Sequence, residues 1–165
     1  MARKKTGGGT PATLALDRAG VPYAVRAYEH DPAAESYGLE AAQALGVEPE
    51  RVLKTLLVEG EAGLGVGIVP VVAQLDLKAM ATALGTKKVS MADPRVAERT
   101  TGYVVGGISP LGQKRRLPTV LDASALGYAV VLVSGGKRGL DLELSPEDLV
   151  AATDAQVAAI ARAHR

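Results

Sequence analysis

The sequence predicts an α+β domain, a mixed sheet curled into a barrel-like form with short helices at its periphery. Three observations lead there. Apolar runs of strand length recur at 52–59, 64–72 and 128–134, and the glycine-flanked reversal at 60–63 joins the first two as a hairpin. Short helix patterns, opened by a capping residue and mostly closed by glycine, are interspersed among these runs without alternating one for one with them. The chain has 165 residues, the size of one domain, and no break in composition divides residues 10–165. Residues 1–9, basic and glycine-rich, read as a flexible tail.

From the N-terminus, Thr10 is a natural N-cap with Pro11 at the first helical position, and the pattern runs through Leu14 and Leu16 to a stop at Gly20. Residues 21–28 read as a strand with Tyr23, Val25 and Ala27 on one face. Glu29, His30, Asp31 and Pro32 make a turn, and Ser36 caps a short helix over 38–45 that ends at Gly46. A brief turn at 48–51 leads into the hairpin. Asp76 opens a helix closed by Gly85, and Asp93 with Pro94 opens another that reaches Thr100. Residues 102–117 are rich in glycine with little periodicity, a long loop or an interrupted strand. The buried run at 128–134 reverses over 135–139 into a return strand at 140–144. Ser145, Pro146 and the acidic residues after them form a strong helix start. Thr153 to Gln156 repeats that capping logic ahead of a final alanine-rich helix.

Composition removes whole classes of function. Cysteine is absent, so disulfides, thiolate metal sites and a cysteine nucleophile are excluded. Two histidines, His30 and His164, make a multi-histidine metal site implausible, and neither a metal nor a cofactor is expected. Nineteen Lys and Arg against eighteen Asp and Glu are too balanced for a protein that grips a DNA duplex. No apolar run approaches the length of a membrane span and no secretory signal is seen, so a soluble cytoplasmic protein is expected. The glycines at 60–67 lack dinucleotide spacing, Gly7 to Thr10 lacks the lysine of a phosphate loop, and no serine sits in a nucleophile elbow.

Four features could carry chemistry, each beside a structural reading. His30, in a turn, either bonds backbone or touches substrate. Alternation over 52–58 puts Lys54 on the face of Val52, Leu56 and Val58, with Thr55 on the opposite face. Its ammonium either snorkels from an edge strand or enters a polar pocket to hold an oxygen. Gly106 and Gly107 either bring backbone amides close to a ligand or serve a loop that needs positive φ. Ser134 and Asp141, on a strand and its return strand, either converge on a site or cap a hairpin. Three basic clusters, at 87–88, 114–116 and 137–138, flank the glycine-rich loops and suit a polyanion at a pocket rim.

Taken in order, several motifs resemble the YbaK/EbsC family of aminoacyl-tRNA deacylases. They are Tyr28-Glu29-His30-Asp31-Pro32, Tyr37-Gly38-Leu39-Glu40-Ala41-Ala42, Val52-Leu53-Lys54-Thr55-Leu56, the run from Gly102 to Lys114, and the segment 134–144. The match covers roughly residues 10–150, nearly the whole chain. The resemblance implies the fold of the editing domain associated with prolyl-tRNA synthetase and the removal of cysteine from mischarged Cys-tRNA(Pro), with Cys-tRNA(Cys) as a further substrate. It implies Lys54 as the catalytic residue and Tyr28, Tyr37, Thr55, Gly106, Gly107, Ser134 and Asp141 as substrate-binding residues. Tyr37 and Leu53 stand where relatives often have Phe. The expected partners are the 3′ end of the aminoacyl-tRNA and prolyl-tRNA synthetase in a ternary complex. A near-neutral chain implies that tRNA is gripped mainly through that partner. Removal of alanine from Ala-tRNA(Pro) and a non-catalytic module that binds tRNA or a synthetase are the alternatives.

Overall fold

The computed structural model describes residues 9–34 and 36–163. The tail expected over 1–9 lies outside the described residues except for Gly9. Helix ends follow local signals. In α1 (Pro11–Ala19) the Thr10 hydroxyl accepts from Thr13 N–H, and Gly20 ends the helix at φ 69°. α2 (Tyr37–Leu45) uses Ser36 and Gly46 in the same way. α3 (Leu77–Leu84) uses Asp76 and Gly85, and α4 (Pro94–Thr101) uses Asp93 and Gly102. Each cap satisfies an amide the first turn leaves free, and the left-handed glycine closes the last carbonyls. Ser145 starts α5 (Pro146–Thr153) as the sequence predicts.

The strands are β1 (Ala24–Ala27), β2 (Leu53–Gly60), β3 (Gly63–Pro70), β4 (Ala73–Leu75), β5 (Val89–Met91), β6 (Thr119–Asp122), β7 (Val131–Lys137), β8 (Leu140–Leu144), β9 (Gln156–Ala158) and β10 (Ala161–Ala163). They form a five-stranded sheet ordered β5-β2-β3-β6-β9, a three-stranded sheet β1-β8-β7 and a pair β10-β4. The β2–β3 hairpin is present, with Gly60 opposite Gly63, and β3–β6 and β6–β9 are parallel. The expected strand over 21–28 shortens to β1, and the run at 128–134 shifts toward β7, where pairing with β8 fixes its limits.

The expected barrel-like form does not extend to closure: no closed sheet exists among the described residues. One parallel bridge, Val52 to Leu132, joins the two larger sheets. Beyond it β7 pairs only with β8, through a register shift between Ser134 and Lys137, and β2 pairs on that edge only with β5, at Val58 to Gly60. The two strands therefore part like the arms of a fork. Both faces of β2 are covered. Leu53 and Leu57 join Val66, Ile68 and Leu142 in the main core, while Val58 packs with Val69, Met80 and Val120. The joint itself is buried, Val52 and Leu132 sharing a third cluster with Ala41, Ala42 and Val71.

The final alanine-rich helix is overturned. Asp154, at φ 56°, ends α5, and the chain continues as β9 beside β6 and β10 beside β4. Asp122 directs this outcome. Its Oδ1 accepts from the backbone N–H of Ile160 and of Ala161, each at 2.9 Å, and the Ile160 carbonyl accepts from Asp76 N–H at 2.7 Å. Alanine's helix propensity is worth only tenths of a kcal/mol per residue, and these tertiary bonds outweigh it. No helix among the described residues is long and apolar enough to cross a membrane.

Candidate active site

The fork encloses a cavity of about 410 Å³. Lys54 and Ser134 stand on its two arms, each two residues past the Val52–Leu132 bridge. Tyr28, Tyr37, Thr55, Gly106 and Asp141 line it as well, so seven of the eight residues that the family resemblance implied come together there. Ser134 faces Asp141 across the β7–β8 ladder. Tyr28 is fixed by its N–H, which donates to the Gly139 carbonyl at 2.9 Å.

Gly107 is the exception. It is not among the lining residues, and its N–H already donates to the Val104 carbonyl at 2.9 Å. A Cβ there would meet the Lys137 backbone at 2.8 Å, so glycine serves close packing against the β7–β8 turn. His30 is not a wall residue either; its Nδ1 is paired with Glu40 at 2.9 Å.

The wall presents groups awaiting partners. Lys54 is half-buried, and no hydrogen bond or ion pair engages its ammonium among the described residues. Burial pulls its pKa below the ordinary lysine value. Beside it, Thr55 Oγ1 is buried without a hydrogen-bond partner, a state that costs about 1–3 kcal/mol until something donates or accepts there. Alternation in the β2–β3 ladder also turns the N–H and C=O of Thr55 away from β3 and toward the open edge. Leu57, two residues on, spends its carbonyl on Ala92 N–H at 3.0 Å.

Asp141 is 6% exposed. Burial pushes its carboxyl up to about 7, and the nearby Arg26 charge opposes this only in part. Arg26 stands opposite Asp141 in the β1–β8 register but donates to Glu143 at 3.1 Å. The Tyr28 phenol is raised to about 12 by burial and by Asp141, so it stays protonated, available to donate.

A stability consequence follows for Asp141. Its folded pKa lies above the unfolded value near 4, so between about pH 4 and pH 7 the unfolded chain releases a proton that the folded chain keeps. Stability therefore falls as pH rises through that window and levels off above it. Asp141→Asn removes this component, on the order of 3–4 kcal/mol. Urea unfolding of both proteins at pH 5 and pH 8 checks it: the variant gains on the wild type at the higher pH.

Sequence reasoning missed the apolar side of the wall, Met91, Ala92, Pro94, Ala97 and Ile108, because β5 and the start of α4 reach β2 only through tertiary pairing. It also left Arg138 as one member of a basic cluster, although its guanidinium lies over the Tyr37 ring, 4.8 Å from the centroid. The cluster was visible; the stacking partner was not.

A small cavity with a lysine ammonium unpartnered among the described residues, an open strand edge and a buried carboxyl of raised pKa, beside a glycine-rich loop, suits an aminoacyl group better than a metal or a dinucleotide. The aminoacyl-tRNA editing domain model matches residues 31–152, and the chain belongs to that family. Over 162 residues it is 41% identical to EbsC of Enterococcus faecalis (strain ATCC 700802 / V583), with 97% of this chain and 98% of that protein covered. That relative is named for a proposed Cys-tRNA(Pro)/Cys-tRNA(Cys) deacylase activity. A solved structure described as a proposed trans-editing enzyme for prolyl-tRNA synthetase matches with a TM-score of 0.82 at 32% identity, covering 92% of this chain and 95% of that one. Hypothetical protein APE2540 matches with a TM-score of 0.83 at 29% identity, covering 92% and 99%.

Proposed function

We propose that this protein deacylates mischarged aminoacyl-tRNA in trans, removing cysteine from Cys-tRNA(Pro) and, as the name of its Enterococcus relative suggests, from Cys-tRNA(Cys). The observation that carries the reading is the Lys54 ammonium, without a partner among the described residues, on the wall of a cavity sized for a small aminoacyl group. Cysteine and proline are close in size, so a synthetic site cannot reject one by volume, and a second site is needed to clear the error.

Among the described residues no activated nucleophile is in place. The chain has no cysteine, His30 is held by Glu40 away from the wall, and Ser134 Oγ accepts from Gly136 N–H with no imidazole of the described residues beside it. The substrate's own thiol fills the role. Its sulfur attacks the ester carbonyl carbon, the C–S bond forms, the C–O bond to ribose breaks, and the thiol proton ends on the ribose hydroxyl. The products are a cysteine thiolactone and free tRNA. Lys54 and the amide of Gly106 stabilise the oxygen that gains charge, the edge at Thr55 orients the aminoacyl group, and Asp141 receives the α-ammonium. A cation arriving beside Asp141 lowers its pKa, so the carboxylate forms as substrate binds.

The approach of tRNA is supported by charge placement. Arg95 and Arg99 on α4, Lys114, Arg115 and Arg116 beyond the glycine loop, and Lys137 and Arg138 in the turn packed on it are all exposed. Of the acids nearby, Glu98 is engaged by Val105 N–H at 2.8 Å. Arg95 also lies 3.8 Å from Asp93; the remaining cations would offer contacts to phosphates of an acceptor end. Prolyl-tRNA synthetase as the partner that supplies tRNA identity is supported by the solved trans-editing relative.

Deacylation of Cys-, Ala- and Ser-tRNA(Pro), with mass analysis of the released amino acid, tests the reading. Cysteine should leave at least about a hundredfold faster than serine and as the thiolactone, the difference expected when an intramolecular nucleophile is lost. Equal rates for serine would favour attack by water, preference for alanine would make the protein an alanine editor, and no turnover of any substrate would leave a binding module.

A further inference from the structure

Three pieces of chain frame the cavity's mouth: the start of α2, the loop at 105–107 and the β7–β8 turn. They meet at Arg138. Its Nε and Nη2 donate to the Val105 carbonyl at 3.1 and 2.6 Å, and its guanidinium covers the ring of Tyr37. Gly106, at φ +89°, makes room for both: a Cβ would come within 2.8 Å of Arg138 Nε and 2.9 Å of the Tyr37 ring. Tyr37 also rests near His30, ring centroids 5.8 Å apart, and Glu40 pairs with that imidazole. Arg138 itself is not on the cavity wall. It touches Tyr37 and Val105, which are, and leaves no room for a side chain at Gly106 beside them.

We propose that Arg138 is a positioning residue, a tie that fixes the Gly106 amide and the Tyr37 ring relative to Lys54, so that the wall is set before substrate arrives. The proposal rests on the deacylase reading for its kinetic arm only. A planar guanidinium is required, because one face stacks on the ring while two N–H groups fork onto one carbonyl; a lysine ammonium cannot do both.

The test compares Arg138→Ala and Arg138→Lys with the wild type. Amide hydrogen exchange needs no substrate, and two amides report on the tie: Gly107 N–H, bonded to Val104, and Val105 N–H, bonded to Glu98. Both should exchange about tenfold faster in each variant, and neither in Lys137→Ala. In deacylation of Cys-tRNA(Pro), kcat should fall about tenfold in both variants with KM nearly unchanged, as expected when a transition-state contact is misplaced. Unchanged exchange in Arg138→Ala would overturn the tie whatever the enzyme acts on. A rise in KM alone, cured by lysine, would also overturn it, since that is the signature of a charge gripping phosphate. Absence of turnover in the wild type would defeat the deacylase reading and leave the exchange result to stand or fall alone.

Discussion

Lys54→Ala is expected to lower kcat for Cys-tRNA(Pro) deacylation by about 10²–10³-fold, the usual cost of losing one donor to a developing oxyanion. The fold should survive intact. The ammonium is half-buried with no partner among the described residues, and burial already disfavours its charged form, so truncation removes a desolvation cost without breaking a bond. Thermal unfolding and single-turnover deacylation of the same preparation separate the two effects. Lys54→Arg keeps the charge but not the compact ammonium, and should recover only a small part of the rate. Near-wild-type turnover in Lys54→Ala would strip the residue of its central role.

Asp122→Ala is expected to be the most damaging change to stability. The carboxylate is 4% exposed. Oδ1 holds the N–H groups of Ile160 and Ala161, and Oδ2 accepts from the Ser124 N–H at 3.2 Å and from the Ser124 hydroxyl. Alanine strands two backbone amides beside a fully buried Ile160 side chain, at about 1–3 kcal/mol each. A loss of roughly 3–5 kcal/mol should appear in urea denaturation. Hydrogen exchange should show residues 156–163 opening first, because they have lost the bonds that held them to β6. A loss under about 1 kcal/mol would mean that strand pairing alone retains the segment.

Helix ends were legible because each cap acts on residues of its own first or last turn: Thr10 and Gly20, Ser36 and Gly46, Asp76 and Gly85, and the start at Asp93, each read correctly from neighbours alone. The segment after Asp154 was not. Its conformation is decided by Asp122, far away in the chain, and nothing local distinguishes three-residue strands from the end of an alanine-rich helix. The short strands β4, β5 and β6 were unreadable for the same reason, and so was the failure of the sheet to close. Within the site, motif resemblance located Tyr28, Tyr37, Lys54, Thr55, Gly106, Ser134 and Asp141, which the fold brings to one cavity. It did not distinguish Gly106, on the cavity wall, from Gly107, which is off it, because adjacent glycines look alike in sequence. Arg26 could be linked to Asp141 only once the β1–β8 register was known.

The joint between Val52 and Leu132 also acts as a fulcrum. Lys54 and Ser134 lie two residues from it, about 7 Å along each arm. A 10° swing of one sheet against the other would shift them by only ~1 Å. Met91, which pairs with Val58 six residues out along β2, sits on a lever about three times as long. Leverage alone thus grades the cavity, from a stiff end at Lys54 and Ser134 to a compliant end at Met91.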